Sequence, residues 1–382
     1  MRPILKTLLS SVLAIAAATA VPTASMAQDD LLGKSWQEIV AQAKTEGELT
    51  FYAWWGEQFW RDAAADFEAK NGIKVNVVVG DGSATIGKVL AELPSTAGTI
   101  DAMLVGGVEL KLLLDANALY GPIAPAVPDS DKLDANLSKV QEGFQTGGYL
   151  VPVYRNQVAI LYDPDKVATP PQTWEEFTSW LDANPGQFAF NDPSKGGAGT
   201  AFIQAAIVNI LGDEEGYMGA TEADPAKVAS WSTVWDWFNA NESKFVITSS
   251  NNDSIDRVNQ GEVAMAAAWD DDTAVALSKG TLFKRAKAYI PAFGLPGGGD
   301  SLGIPKNAAH RAAALMFIAY LIQPDVQKKI NETLAVYLAR TDMSAGNAII
   351  PDSDRAKNSR PWLPGVYKKI LVEEFVSEVL QK

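Results

Sequence analysis

Short strands and helices alternate along the N-terminal part of this chain, and that alternation restricts its fold more than any other feature. Leu49 to Trp54 reads as a strand. Phe59, Ala63 and Phe67 then recur at four-residue spacing as one face of a helix, which Asn71-Gly72 closes. Ile73, Val75, Val77 and Val79 alternate as the next strand. A second unit follows, with a helix over 85–93, an apolar strand over 100–105 and a helix over 109–116. Strands joined by helices pair in parallel, need both sheet faces covered, and bind ligands beyond their carboxyl ends. The expectation is a doubly wound α/β domain, with Trp54, Trp55, Gly56 and Glu57 at such an end.

Farther on, 149–162 is an apolar segment interrupted by Arg155-Asn156-Gln157. Thr173 and Glu176 form a capping box that opens the next helix. Helices are expected over 198–211 and 231–238, a buried strand over 263–269 and a turn-rich loop over 294–299. Two more helices, over 308–322 and 325–334, are separated at Pro324, which has no amide hydrogen to continue the first.

Composition narrows the function classes. Among 382 residues there is no cysteine and one histidine, His310, which excludes disulfides, thiolate chemistry, a lipid-modified cysteine and clusters of imidazole ligands. No cofactor and no metal site is expected, and an enzyme is disfavoured. A formal net charge of −14 argues against nucleic acid, which needs a Lys/Arg footprint. The first 27 residues read as a secretory signal peptide: Arg2 and Lys6, an apolar run from Leu8 to Val21, then Ser25-Met26-Ala27 as the cleavage pattern. That run is about 14 residues, short of the roughly 20 that span a bilayer. The mature chain should be soluble and work outside the cytoplasm.

Several segments occur together in a telling order. Leu49-Thr50-Phe51-Tyr52-Ala53-Trp54-Trp55 leads to Asp66-Phe67-Glu68 and Gly72-Ile73-Lys74-Val75. Tyr154, then Tyr162-Asp163-Pro164-Asp165-Lys166-Val167, Gly261-Glu262-Val263-Ala264-Met265 and Asp300-Ser301-Leu302-Gly303-Ile304-Pro305 follow. This order resembles the extracellular solute-binding proteins of ABC transporters, with the type II periplasmic binding fold. The stretches 153–157 and 196–202 look closer to a poorly characterised branch than to the sugar-binding members. The resemblance implies two α/β lobes, each a doubly wound sheet, closing on a ligand by a hinge. It places 28–153 and 268–320 in one lobe, and 154–267 and 321–382 in the other. It also implies a monomer in the periplasm that delivers a small-molecule solute to an ABC permease.

Candidate ligand residues follow from the resemblance and from side-chain chemistry. Trp55 and Glu57 lie where spermidine/putrescine-type proteins carry Trp-x-Glu, an indole and a carboxylate suited to an ammonium or a sugar face. Trp54 should point to the opposite face of its strand, into the core. Trp269 and Asp271 follow a lobe crossing, although Asp270-Asp271-Asp272 also reads as a solvated acidic turn. A calcium loop is a poor reading there, because Thr281 stands where the EF-hand spacing needs Glu. Tyr154, Arg155 and Asn156 lie at the first crossing; Arg155 suits either ligand contact or an interlobe salt bridge. Asn191, Gly199 and Thr200 surround a Gly-rich helix start that could cradle a polar group or serve as a plain cap.

Gly299-Asp300-Ser301-Leu302-Gly303 matches the form of a G-x-S-x-G nucleophile elbow, so a secreted hydrolase using Ser301 is a rival reading. The flanking Gly297-Gly298 and Ile304-Pro305 suit that elbow poorly. Ser301 could instead touch the ligand. A chemoreceptor-coupled sensor is a second rival. The residues suit a small amine or zwitterion first, and a sugar or polyol next.

Overall fold

Leu49, Phe51 and Ala53 turn one face of the first strand into the core, and the chain leaves that strand through Gly56 into a helix over Glu57–Asn71. Gly56 has φ +70°, which a side chain would strain, and a Cβ there would press on Trp60 and Leu334. The structure, a computed structural model, describes residues 31–382 apart from Ala345 and Asn347. The expected signal peptide lies outside the described residues. No helix among them is long and apolar enough to cross a membrane.

Among the described residues, the strands up to Gly303 are, in chain order, β1 (Glu48–Ala53), β2 (Lys74–Val79), β3 (Ala102–Val105), β4 (Val140–Gln141), β5 (Phe144–Gln145), β6 (Val151–Tyr162), β7 (Phe188–Asn191), β8 (Phe245–Thr248), β9 (Met265–Trp269), β10 (Lys287–Tyr289) and β11 (Leu295–Gly303). The principal sheet has the order β2-β1-β3-β11-β6-β9-β7-β8. Two parallel wings, β2-β1-β3 and β9-β7-β8, are joined by the antiparallel pair β11–β6. The expected α/β architecture is therefore present, with one long strand pair shared between the wings.

Each wing has its own core. One gathers Phe51, Trp60, Phe67, Phe317, Ile318 and Val326; the other is built on aromatic rings, among them Phe177, Phe188, Phe190, Phe202, Phe238 and Phe375. Packing departs from the expected division in two places. Ile290, Phe293 and Leu295 belong to the second core, because the helix Asp270–Lys279 turns back onto that wing and the chain crosses only along β11. Val326, Ile330 and Leu334 belong to the first core, where their helix (Pro324–Leu334) lies against the helix Glu57–Asn71.

The turn-rich loop expected over 294–299 is instead strand β11. Its glycines serve close approach: a Cβ on Gly297 would lie 2.3 Å from Gln157 Oε1, and one on Gly299 2.1 Å from the Tyr154 carbonyl oxygen. The neighbouring strand leaves no room for side chains there.

Candidate functional site

Strand β6 places Tyr154 and Asn156 on one face, two residues apart, and each meets an acid from a different segment. The Tyr154 hydroxyl donates to Asp300 Oδ2 on β11 and accepts from Trp55 Nε1 at 2.7 Å. The Trp55 and Tyr154 rings meet edge to face, with centroids 5.7 Å apart. Asn156 Nδ2 donates to Asp271 Oδ2 at 3.2 Å. Five of the expected residues, Trp55, Tyr154, Asn156, Trp269 and Asp271, thus gather around the join between the wings, together with Asp300.

The three aspartates after Trp269 open the helix Asp270–Lys279, where the helix dipole favours negative charge. Burial outweighs that. Asp270 accepts from the amides of Gln157 and Asp271, at 2.8 and 2.9 Å, yet burial and the Asp271 charge hold its carboxyl well above the usual range. Burial also raises Asp271, whose Oδ1 has no hydrogen-bond partner. Asp272 is pushed up to about 7 by burial and by Asp271. Asp300, 9 % exposed, is raised by burial, and the charges bearing on it are Glu142, Asp271 and Glu109, all of its own sign.

Around these acids stand indoles, the Lys368 ammonium and the Arg355 guanidinium, whose charge bears on Asp270. Trp269 lies with its ring 6.5 Å from Trp362, and against Gly197, where a Cβ would come within 2.9 Å of the indole. Lys368 Nζ stands 4.0 Å over the Trp362 ring and ion-pairs with Glu142. Glu142 belongs to the turn between β4 and β5, whose Gly143 carbonyl accepts from the Gly365 amide at 2.9 Å. That contact ties the first wing to the C-terminal segment packed in the second core.

The remaining expected residues lie elsewhere or are already engaged. Glu57 is exposed and ion-pairs with Arg61 at 2.8 Å along its own helix. Arg155, on the other face of β6, donates to the Leu338 carbonyl at 2.6 Å and pairs with Asp134 at 3.3 Å. Asn191 is fully buried; its Oδ1 takes the Gly199 amide at 2.7 Å, and its Nδ2 bonds the Asp192 and Gly196 carbonyls. A Cβ on Gly199 would collide with the Asn191 carbonyl, and Thr200 donates to the Pro193 carbonyl at 3.3 Å. The amides of Ala198 and Gly199 are both taken by asparagine side chains, so this helix start is a cap.

Ser301 is buried mid-strand and donates to Gln141 Oε1 at 2.7 Å; β11 continues to Gly303, so no elbow forms. His310 bonds Asp101, 3.0 Å away. Trp54, expected in the core, is only half-buried and lies beside Gly82, Gly106 and Glu109.

The resemblance puts the Asp300-Ser301 pair beside the cleft and offers Ser301 as the contact, whereas the structure pairs Asp300 with Tyr154. Glu109, Glu142, Trp362 and Lys368 were not reached from the sequence, since they come from separate segments. Among the described residues, no group of three His, Cys, Asp or Glu is placed to hold a metal ion.

Comparison with known proteins bears on the family and the fold. The sequence profile of a family described as bacterial extracellular solute-binding proteins matches residues 62–357. The Escherichia coli protein YnjB is 24% identical over 311 residues, 76% of this chain and 78% of that protein. The spermidine/putrescine transporter substrate-binding protein PotD of Streptococcus pneumoniae superposes with a TM-score of 0.67 at 15% identity, covering 87% of this chain and 98% of that one. AfuA of Actinobacillus pleuropneumoniae, a periplasmic binding protein solved with fructose-6-phosphate bound, gives 0.63 at 16% identity, covering 88% and 99%. The two-lobed fold of these proteins is the fold of this chain.

Proposed function

This chain belongs to the bacterial extracellular solute-binding proteins of ABC transporters, and on that premise we propose that its solute is a small cationic amine held between the two wings. One observation carries the reading. Asp271 and Asp300 are buried beside aromatic rings, bonded by neutral side chains, and loaded with further negative charge. A buried carboxylate without a counterion is costly, and an incoming ammonium would relieve that cost. Trp55, Tyr154 and Trp269 would supply ring faces and edges around it. A spermidine/putrescine-binding relative in Escherichia coli, 31% identical over 107 residues, supports the same class.

In this reading the lobes are 31–154 with 300–340, and 155–299 with 341–382, hinged on β6 and β11. The ligand favours the closed arrangement to the extent that it binds that arrangement more tightly than the open one. The closed receptor then meets an ABC permease at the periplasmic face of the membrane.

A thermal-shift screen at pH 8 over amines, amino acids, polyols, sugars and sugar phosphates tests the class. An amine at a hundred times its dissociation constant should stabilise the chain by about 2.7 kcal/mol. Stabilisation by sugar phosphates alone would overturn the amine reading.

A further inference from the structure

Three consecutive glycines line β11 where it passes Asn156, and they are not equivalent. Gly297 and Gly299 are required by close approach to β6, as described above. Gly298, paired in register with Asn156, is not. A Cβ on Gly298 would stand 3.4 Å from Asn156 Oδ1, 3.6 Å from Trp362 Nε1 and 3.8 Å from Glu142 Cγ, ordinary van der Waals distances. The backbone there would accept alanine, whose methyl would stand against both Asn156 Oδ1 and Trp362 Nε1.

Two of those three neighbours are buried polar atoms with no hydrogen-bond partner: the acceptor Asn156 Oδ1 and the donor Trp362 Nε1. Trp362 is 5 % exposed. Buried polar atoms are nearly always satisfied, so two orphans facing one spot need an explanation. Both are also held in place. Asn156 is fixed by its bond to Asp271, and the Trp362 ring by the Lys368 ammonium, itself paired with Glu142.

We propose that the space above Gly298 is a hydroxyl subsite of the ligand cleft, so that the solute is an amino alcohol. The ligand hydroxyl donates to Asn156 Oδ1 and accepts from Trp362 Nε1; its ammonium lies at Asp271, whose own unpartnered Oδ1 is adjacent through Asn156. One small group must both donate and accept, which a hydroxyl does. An ammonium cannot accept from the indole, and a carboxylate would be repelled by Asn156 Oδ1 and Glu142. The ammonium half rests on the amine reading; the hydroxyl half does not.

Titration calorimetry with alkylamines and terminal amino alcohols of equal chain length, ethyl to pentyl, tests it. At least one amino alcohol should bind the wild type roughly tenfold or more tightly than its alkylamine, because a site built to bond a hydroxyl rejects the analogue lacking it. Gly298→Ala, which fills the spot, should erase that difference, and Trp362→Phe should reduce it. Equal binding of the two series by the wild type overturns the subsite. So does a preference that survives Gly298→Ala, which would mean that water satisfies the two atoms. Binding of amine-free polyols that Gly298→Ala abolishes would support the subsite and overturn the amine reading. Silence from amines, amino alcohols and polyols alike overturns both.

Discussion

The strand β6 passes buried aspartates at two places, and the fold treats them oppositely. Just past its end, Asp163 is 3 % exposed and gripped by Arg285, whose Nε and Nη2 donate at 2.9 and 2.7 Å. The Asp165 amide adds a third bond at 3.1 Å. Those partners hold the Asp163 carboxyl below the usual range. At mid-strand, Asp271 and Asp300 are similarly buried but meet only neutral donors and like charges, and both are raised. Burial raises a carboxyl at both places, and only at the first does a counterion, Arg285, outweigh it. At one place the chain supplies that counterion itself. At the other it leaves the charge to be met from outside.

Three experiments break or sharpen this contrast. The largest effect belongs to the double substitution Asp271→Asn, Asp300→Asn, which keeps shape and removes both charges. Amine affinity should fall by about a hundredfold or more, given charge-assisted bonds of roughly 1.5–3 kcal/mol each. Retained affinity by calorimetry would erase the distinction between the two places. Next comes Asp163→Ala, which leaves Arg285 to Asp165 alone and strands an amide. It should lower stability by about 2 kcal/mol in guanidinium titrations while leaving amine binding intact. Asp271→Asn alone should leave the unliganded chain as stable or slightly more so.

The response to pH has opposite signs at the two places. Asp163 has a lowered folded value, so its contribution is present above about pH 4 and is lost as pH falls through that lowered value. Asp272 is raised to about 7, so its contribution is full below about pH 4 and is lost as pH rises through 7. Denaturant midpoints of the unliganded protein should therefore carry a component that declines between pH 4 and 8. Asp272→Asn should flatten that decline, and an unchanged slope would show that the acid cluster is not the source.

Much of the fold was legible because its signals are local. The capping box at Thr173 and Glu176, the Gly72 helix stop (φ +71°) and the alternation along β2 each lie within a few residues. The site was legible only in part. Trp55 and Trp269 could be placed because they sit at strand ends, where α/β ligand sites form, and Tyr154 through the resemblance, which puts it at a lobe crossing. Ser301 drew attention through its glycine pattern, yet the register shifts between Asp300 and Ser301, so that the acid meets Tyr154 and the serine is buried against Gln141. Glu142 and Lys368 meet across 226 residues of sequence, a pairing that no local pattern announces. The glycines at 297–299 misled for another reason. The same residue serves a turn and a close strand contact, and only the neighbour tells which.

The twelve-residue strand β6 carries Val153 into one core and Val158 into the other, and β11 accompanies it. Two independent cores would melt separately. Here neither can let go of this pair without stripping backbone hydrogen bonds from the other's edge. Heat should dismantle the protein as one cooperative unit, and a solute gripped at the join should protect residues far from it in both halves equally.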